Sequence, residues 1–190
     1  MLTQDWNTSP RKHNVVVETN LTIPLSDGIT LDADVTRPDT NDPVPVLLSA
    51  HAYPKEDQYT DLIPTGFSHT RGHMEAGDGH FFARRGYIHI VVNVRGTGLS
   101  GGTYDNLGER TILDICEAIE WLAEQEWCDG NVGMFGMSFF AIVQNMVAAK
   151  NPPALKAIFA PFAYTDMYRD RYYHGGILSH GFMKMWLPTL

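Results

Sequence analysis

The chain has 190 residues, of which 44% are hydrophobic and 19% charged, and its formal net charge is −8. These proportions are typical of a globular protein with one core, and they exclude a disordered chain. The acidic balance, with no basic run, argues against a nucleic-acid partner. No apolar run is long enough to cross a membrane, so we expect no membrane partner. The first residues lack the pattern of a signal peptide, which predicts residence in the cytoplasm.

The two cysteines, Cys116 and Cys128, offer neither a disulfide framework nor the spacing of metal ligands. We expect both to be packing residues, Cys116 on the apolar face of a helix and Cys128 in a turn. The sequence therefore predicts no metal and no cofactor.

Two alternating segments begin the fold after a flexible lead-in, residues 1–14. Residues 15–24 and 29–37 each place apolar side chains at every second position, and Ser26-Asp27-Gly28 between them is a turn signal. They predict a β-hairpin at the edge of a sheet. Residues 45–50 are apolar at both parities, as in a strand that is buried on both faces.

A long irregular stretch, residues 51–79, comes next, and loops of this length are usually functional or flexible. A short predicted helix (80–85) and the most strand-like run of the chain (87–94) follow it. That strand leads into a glycine-rich loop, Arg95–Gly102. The loop could hold a phosphate, but it lacks the Walker lysine and the G-x-G-x-x-G spacing at a helix start, so nucleotide binding is a minor alternative.

Helices and strands alternate through the rest of the predicted sheet. Apolar residues at helical spacing predict an amphipathic helix over residues 112–122 that ends near Trp127. A short strand, a helix over residues 142–149 and another buried strand over residues 154–160 follow. This alternation predicts an α/β fold with a mostly parallel sheet.

Ser138 lies between the last of these helices and the strand before it. Strand, sharp turn and helix around a serine is how an α/β-hydrolase exposes its nucleophile. The backbone N–H of Phe139 would then lie at a helix N-terminus, where unpaired donors can stabilise an oxyanion. The fifth position of G-x-S-x-G is Phe140 instead of glycine, so an inert serine in a buried turn is the alternative.

Several motifs together resemble the cocaine-esterase / X-Pro dipeptidyl-peptidase-like family, which includes the α-amino-acid ester hydrolases. The longest motif is WCDGNVGMFGMSF, residues 127–139, and the loop NVRGTGLS, residues 93–100, also fits. The family elbow is G-x-S-Y-x-G, so the departures are Phe139 for tyrosine and Ala141 for glycine, together with Asn93 for the usual aspartate. The resemblance implies an α/β-hydrolase fold that is incomplete at the C-terminus. Residues 15–162 would be the N-terminal part of the catalytic domain, and residues 163–190 the start of a helical cap.

The resemblance also implies roles for three residues. Ser138 would be the nucleophile, and Tyr53 occupies the place of a family tyrosine whose hydroxyl is an oxyanion donor, beside the Phe139 N–H. A phenol donates a strong hydrogen bond, although a tyrosine that only packs at a strand end is the alternative. The implied function is a serine-type hydrolase that acts through an acyl-enzyme on a small ester or amide or on a short peptide. The residues do not decide between an esterase and a dipeptidyl-peptidase.

The acid and base of a catalytic triad are not evident. Asp166, Asp170, His174 and His180 follow Ser138 in the order that this fold requires. The acid and the base normally follow two further core strands, and no strand is predicted after residue 160. We therefore expect all four residues in the cap, the triad Asp and His to be absent, and the chain to be an N-terminal fragment of a longer hydrolase that could oligomerise. The alternative is a non-catalytic remnant or binding protein that retains the fold.

Overall fold

The computed structural model describes residues 8–58 and 75–189. Six strands form one mixed sheet in the order β1-β2-β4-β3-β5-β6. The strands are β1 (Val15–Pro24), β2 (Thr30–Pro38), β3 (Val44–His51), β4 (Ile88–Asn93), β5 (Cys128–Phe135) and β6 (Leu155–Phe159). The helices that accompany them are α1 (Gly79–Ala83), α2 (Glu109–Ala123) and α3 (Phe139–Lys150). The pairs β3–β4, β3–β5 and β5–β6 are parallel, while β1–β2 and β2–β4 are antiparallel.

Helices cover both faces of the sheet. All six residues of β4 are buried, and its even-numbered residues Ile88, Ile90 and Val92 join the main core with side chains of α2 and α3. His89 has the opposite parity and faces α1, where a Cβ on Gly79 would lie 3.0 Å from the His89 Nδ1 atom. The predicted α/β class, with a mostly parallel sheet and an edge hairpin, is confirmed.

The edge hairpin is confirmed, but its alternation is interrupted. The register of β1 shifts between Glu18 and Leu21, and Asn20 adopts a left-handed backbone with φ of 60°. A β-bulge of this kind re-aims a side chain, and asparagine tolerates the conformation better than most residues. The bulge brings the Asn20 side-chain oxygen to a buried lysine, Lys55, at 3.1 Å from its Nζ atom.

Two strand predictions need correction. Cys128 is the first residue of β5, paired with Val44 of β3, and does not lie in a turn. The strand over residues 154–160 is present as β6, but the prediction that it is buried is wrong. Ile158 and Phe159 are 39% and 58% exposed, because β6 lies at the edge of the sheet in the described part of the chain.

The segment after β6 folds over the C-terminal ends of the strands. It contains one turn of π-helix (Tyr168–Tyr172), the helix α4 (His180–Trp186) and a 3₁₀ turn (Leu187–Thr189). Between them, β7 (Tyr173–His174) and β8 (Ile177–Leu178) form a small antiparallel hairpin, which the sequence did not indicate. None of the helices in the described ranges is both long and apolar enough to cross a membrane.

Candidate active site

The elbow around Ser138 has the backbone that exposes a nucleophile. Ser138 follows β5 by three residues and directly precedes α3, and its φ and ψ are 58° and −119°. A left-handed serine is strained, and such strain persists only where the surroundings impose it. The Ser138 N–H donates to the Pro161 carbonyl at 3.1 Å, and the Met137 N–H donates to the Glu75 carbonyl at 3.0 Å. Two flanking segments therefore hold the turn in place.

Gly136 is required by the same turn. Its φ is +143°, and a Cβ at this position would lie 2.5 Å from the Phe140 Cβ, inside the first turn of α3. Only glycine lets the strand approach the helix so closely. At the position where the related elbows have glycine, Ala141 is fully buried, so its methyl group is accommodated.

Tyr53, the predicted oxyanion donor, lines the same pocket as Ser138. Its hydroxyl oxygen accepts a hydrogen bond from the indole Nε1 of Trp186 in α4 at 2.6 Å. Because an indole N–H can only donate, this bond leaves the phenol proton free to be donated elsewhere. Burial, followed by smaller effects, raises the pKa of Tyr53 above its ordinary value. The phenol therefore stays protonated at neutral pH, as an oxyanion donor must.

His51 packs against the Tyr53 ring and is not among the residues that line the pocket. Its ring lies 4.3 Å from the Tyr53 ring and 4.0 Å from the Phe139 ring, centroid to centroid. Its Nδ1 atom accepts the Tyr53 N–H at 2.7 Å, so the ring is neutral with its proton on Nε2. Burial, and then the charge of Arg171, hold the pKa of His51 well below its usual value. A histidine that is buried, neutral and already hydrogen-bonded is unsuited to serve as the general base for Ser138.

Glu75 is a residue of the site that sequence reasoning missed. Burial raises the pKa of its carboxyl, while hydrogen bonds from the Ser138 side chain and the Phe139 N–H act in the opposite direction. Its Oε2 atom is buried and has no hydrogen-bond partner among the described residues. The Glu75 carboxyl thus lies close enough to the Ser138 side chain and the Phe139 N–H for both to lower its pKa, and that N–H is the donor expected to bind a substrate oxyanion.

A buried ionic cluster fixes the loop that carries Tyr53. The Lys55 Nζ lies 2.5 Å from Asp34 and 3.4 Å from Asp32, and the lysine is 2% exposed. The Asn93 side chain accepts the Lys55 backbone N–H at 2.8 Å and donates to Asp32 at 3.2 Å. Burial lowers the pKa of Lys55, but the hydrogen bond and charge of Asp34 outweigh it, so the net pKa is raised. The cluster connects two strands to the residue two positions after Tyr53.

A small pocket opens beside Ser138. Its volume is about 40 Å³, far below the roughly 300–1,000 Å³ of an ordinary ligand site. Its lining includes Tyr53, Phe139, Tyr164, Arg171, Phe182 and Trp186. Two of these side chains, Phe182 and Trp186, come from α4 and form part of the wall that keeps the pocket small.

A family comparison identifies the chain. The model of the X-Pro dipeptidyl-peptidase (S15) family matches residues 27–190. The chain belongs to this family. The chain is 35% identical to cocaine esterase from a Rhodococcus species over 168 residues. This match covers 87% of the chain and 27% of that enzyme. The chain is also 28% identical over 116 residues to a putative Xaa-Pro dipeptidyl-peptidase of Bacillus cereus, covering 54% of the chain and 20% of that protein.

Solved structures agree with the sequence relatives. A CocE/NonD family hydrolase from Staphylococcus aureus superposes with a TM-score of 0.81 at 33% identity, over 92% of the S15 chain and 32% of that structure. An α-amino acid ester hydrolase shares the fold, with a TM-score of 0.63 at 22% identity over 90% of the chain and 29% of that structure. The chain thus spans about a third or less of these relatives. The predicted family resemblance is confirmed.

The four acid and histidine residues that follow Ser138 do not line its pocket. Asp166 pairs with Arg169, and Asp170 accepts hydrogen bonds from Thr165 and from the Asp166 N–H. His174 contacts the Asp170 carbonyl, and both it and His180 are exposed. Two other histidines, His69 and His73, lie outside the described residues.

The glycine-rich loop after β4 has a structural role. Arg95 is buried, and its guanidinium binds Asp114 at 2.6 Å and Asp27 at 2.7 Å. Ser100 accepts the Asp32 N–H and donates to the Asn93 carbonyl. Because two carboxylates already neutralise its only cation, the loop is poorly suited to a phosphate.

Proposed function

We propose that this chain carries the nucleophile and oxyanion donors of a serine-type hydrolase of esters or amides. The observation that carries the proposal is the strained Ser138 at the strand–helix elbow, with the Tyr53 hydroxyl and the Phe139 N–H beside it. The family includes proteins named as esterases and as dipeptidyl-peptidases, so a small ester or amide, or a short peptide, is the substrate class.

The proposed reaction has two steps. The Ser138 Oγ forms a bond to the acyl carbon, the bond to the leaving alcohol or amine breaks, and the serine proton passes through a base to the leaving group. Water then releases the acid and restores the serine. Tyr53 and Phe139 stabilise the oxyanion of both tetrahedral intermediates. In this proposal the triad aspartate and histidine are residues other than Asp166, Asp170, His174 and His180. Cytoplasmic residence stays a prediction from the sequence.

Glu75 gives the alternative a specific basis. A carboxylate that lies beside both the nucleophile and the Phe139 N–H would compete with a substrate oxyanion for the same donor. A remnant or binding protein that retains the fold could keep this arrangement permanently, whereas an enzyme must move Glu75 aside or protonate it.

A fluorophosphonate probe separates the two possibilities, because it reacts covalently only with an activated serine. The proposed hydrolase becomes labelled, and Ser138→Ala abolishes the label. Ser179→Ala, which changes a serine before α4 that lies outside the elbow, is the matched control and should label normally. The label is added to the full-length protein, which supplies the triad acid and base in the proposed hydrolase. An unlabelled wild type would then support the remnant, and labelling that survives Ser138→Ala would remove Ser138 as the nucleophile.

A further inference from the structure

Arg171 is a buried cation without a counter-ion in the described part of the chain. It lies in the π-helical turn and is 3% exposed. No carboxylate of residues 8–58 or 75–189 forms an ion pair with it, whereas its neighbour Arg169 pairs with Asp166. Its Nη1 atom is buried and has no hydrogen-bond partner among the same residues. Desolvation lowers the pKa of Arg171, and the groups that act against it are tyrosines rather than acids.

Aromatic rings surround the guanidinium but do not satisfy it. Its central carbon lies 4.1 Å from the Trp186 ring and 4.7 Å from the Phe139 ring. Cation–π contacts offset part of the cost of burying a charge. They supply no hydrogen-bond acceptor, and an unpaired buried donor is unfavourable. Buried charges in proteins are ordinarily paired, so this guanidinium is expected to have a partner.

The position of Arg171 indicates what that partner is. The residue lines the same pocket as Ser138 and Tyr53. Its charge lowers the pKa of Tyr53, while the charge of Glu75 raises it. A planar guanidinium whose Nη1 atom has no partner among the described residues matches a carboxylate, the group that it binds most specifically.

We propose that Arg171 is a specificity-determining residue that binds a carboxylate of the substrate, close to the scissile ester or amide bond. This inference rests on the proposed function of Ser138 and names its substrate class, an acyl or leaving group that carries a carboxylate. Because Trp186 packs on the guanidinium, a movement of α4 that enlarged the pocket would also uncover the charge.

Paired boronic acids test the proposal, because a boronic acid forms a reversible tetrahedral adduct with a reactive serine. We expect 3-carboxyphenylboronic acid to bind the wild-type protein about tenfold to a hundredfold more tightly than phenylboronic acid, as for a hydrogen bond to a charged group. Arg171→Met should abolish this preference, and Arg171→Lys should reduce it. The matched control, Arg169→Met, removes the exposed neighbouring charge and should retain it. Equal binding of the two acids by the wild type, or a preference that survives Arg171→Met, would overturn the proposal.

A second measurement separates failure of this inference from failure of the serine mechanism. Benzoate should raise the thermal midpoint of the wild type and of Ser138→Ala more than benzamide does, since this contact needs no reactive serine. If neither boronic acid binds through Ser138 while benzoate still acts through Arg171, the proposed function fails and the anion site stands. If phenylboronic acid binds through Ser138 but benzoate and benzamide act alike, the anion site fails alone.

Discussion

Replacing Lys55 by methionine should destabilise the protein strongly, although the substitution conserves most of the side-chain volume. Lys55 is 2% exposed, and its Nζ atom lies within ion-pair distance of both Asp32 and Asp34. Removing one partner leaves the other charges buried and uncompensated, which costs about 3–5 kcal/mol. For a chain of this size, about 2–4 °C is lost per kcal/mol, so the thermal midpoint should fall by roughly 6–20 °C.

Urea unfolding followed by circular dichroism measures this change directly. The urea midpoint should fall without a change in slope, because the surface exposed on unfolding is unaltered. Lys156→Met is the matched control, since Lys156 is exposed and donates only to the Pro153 carbonyl. It should change the free energy of unfolding by no more than about 0.5 kcal/mol.

A second substitution tests the reason for the loss. The double variant Lys55→Met/Asp34→Asn removes one of the stranded carboxylates and should recover part of the lost stability. Lys55→Met should also slow labelling of Ser138, because the cluster holds the loop that carries Tyr53. A Lys55→Met protein within about 1 kcal/mol of wild type would refute the assignment of a buried, mutually dependent cluster.

Three further predictions address the elbow and its acid. The pKa of Glu75 is raised in the folded protein, so its carboxyl opposes folding once it ionises as the pH rises. Glu75→Gln removes this ionisation and should therefore stabilise the protein increasingly from about pH 4 to pH 8. Urea midpoints across this range should show no such trend for Glu126→Gln, an exposed control. Gly136→Ala should cost about 2–5 kcal/mol from a left-handed φ and a clash with α3, whereas Gly181→Ala, which meets open space, should stay within about 1 kcal/mol by the same assay. Tyr53→Phe should slow ester turnover on the order of a hundredfold, with loss of about 1 kcal/mol of stability; a twofold effect on turnover would remove Tyr53 from the oxyanion site.

Local patterns in the sequence predicted most of the sheet. The continuous apolar run of β4 reflects a strand that is covered on both faces, and that information is local. The alternation of β2 located the strand but not its burial, because Leu31 to Thr36 are all buried. The exposure of β6 was not predictable in the same way. Its residues are as apolar as those of a central strand, and only the neighbouring elements determine whether they are covered.

The elbow was predictable because its geometry places demands on consecutive residues. Gly136 must lack a Cβ, Ser138 must occupy the turn, and a helix must begin at Phe139. The Tyr53 assignment came from family resemblance, and its hydrogen bond to Trp186 adds a physical reason to expect a free phenol proton.

Glu75, Lys55 and Arg171 were missed because their importance depends on contacts distant in sequence. Lys55 follows Tyr53 in a segment rich in charge, where a solvated lysine is the ordinary expectation. Only the bulge at Asn20 and the strand that carries Asp34 make it a buried cation. Arg171 is two residues from a similar arginine, and sequence alone does not show which of them is covered by Trp186.

The central claim is that Ser138 forms an acyl-enzyme. The most direct test is to mix the full-length protein, which supplies the proposed acid and base, with p-nitrophenyl acetate, quench with acid and locate the acetyl group by peptide mass spectrometry. We expect one acetyl group on the peptide that contains Ser138, and none on that peptide in Ser138→Ala. An acetyl group on another residue, or an unmodified elbow peptide in a protein that turns over the ester, would contradict it.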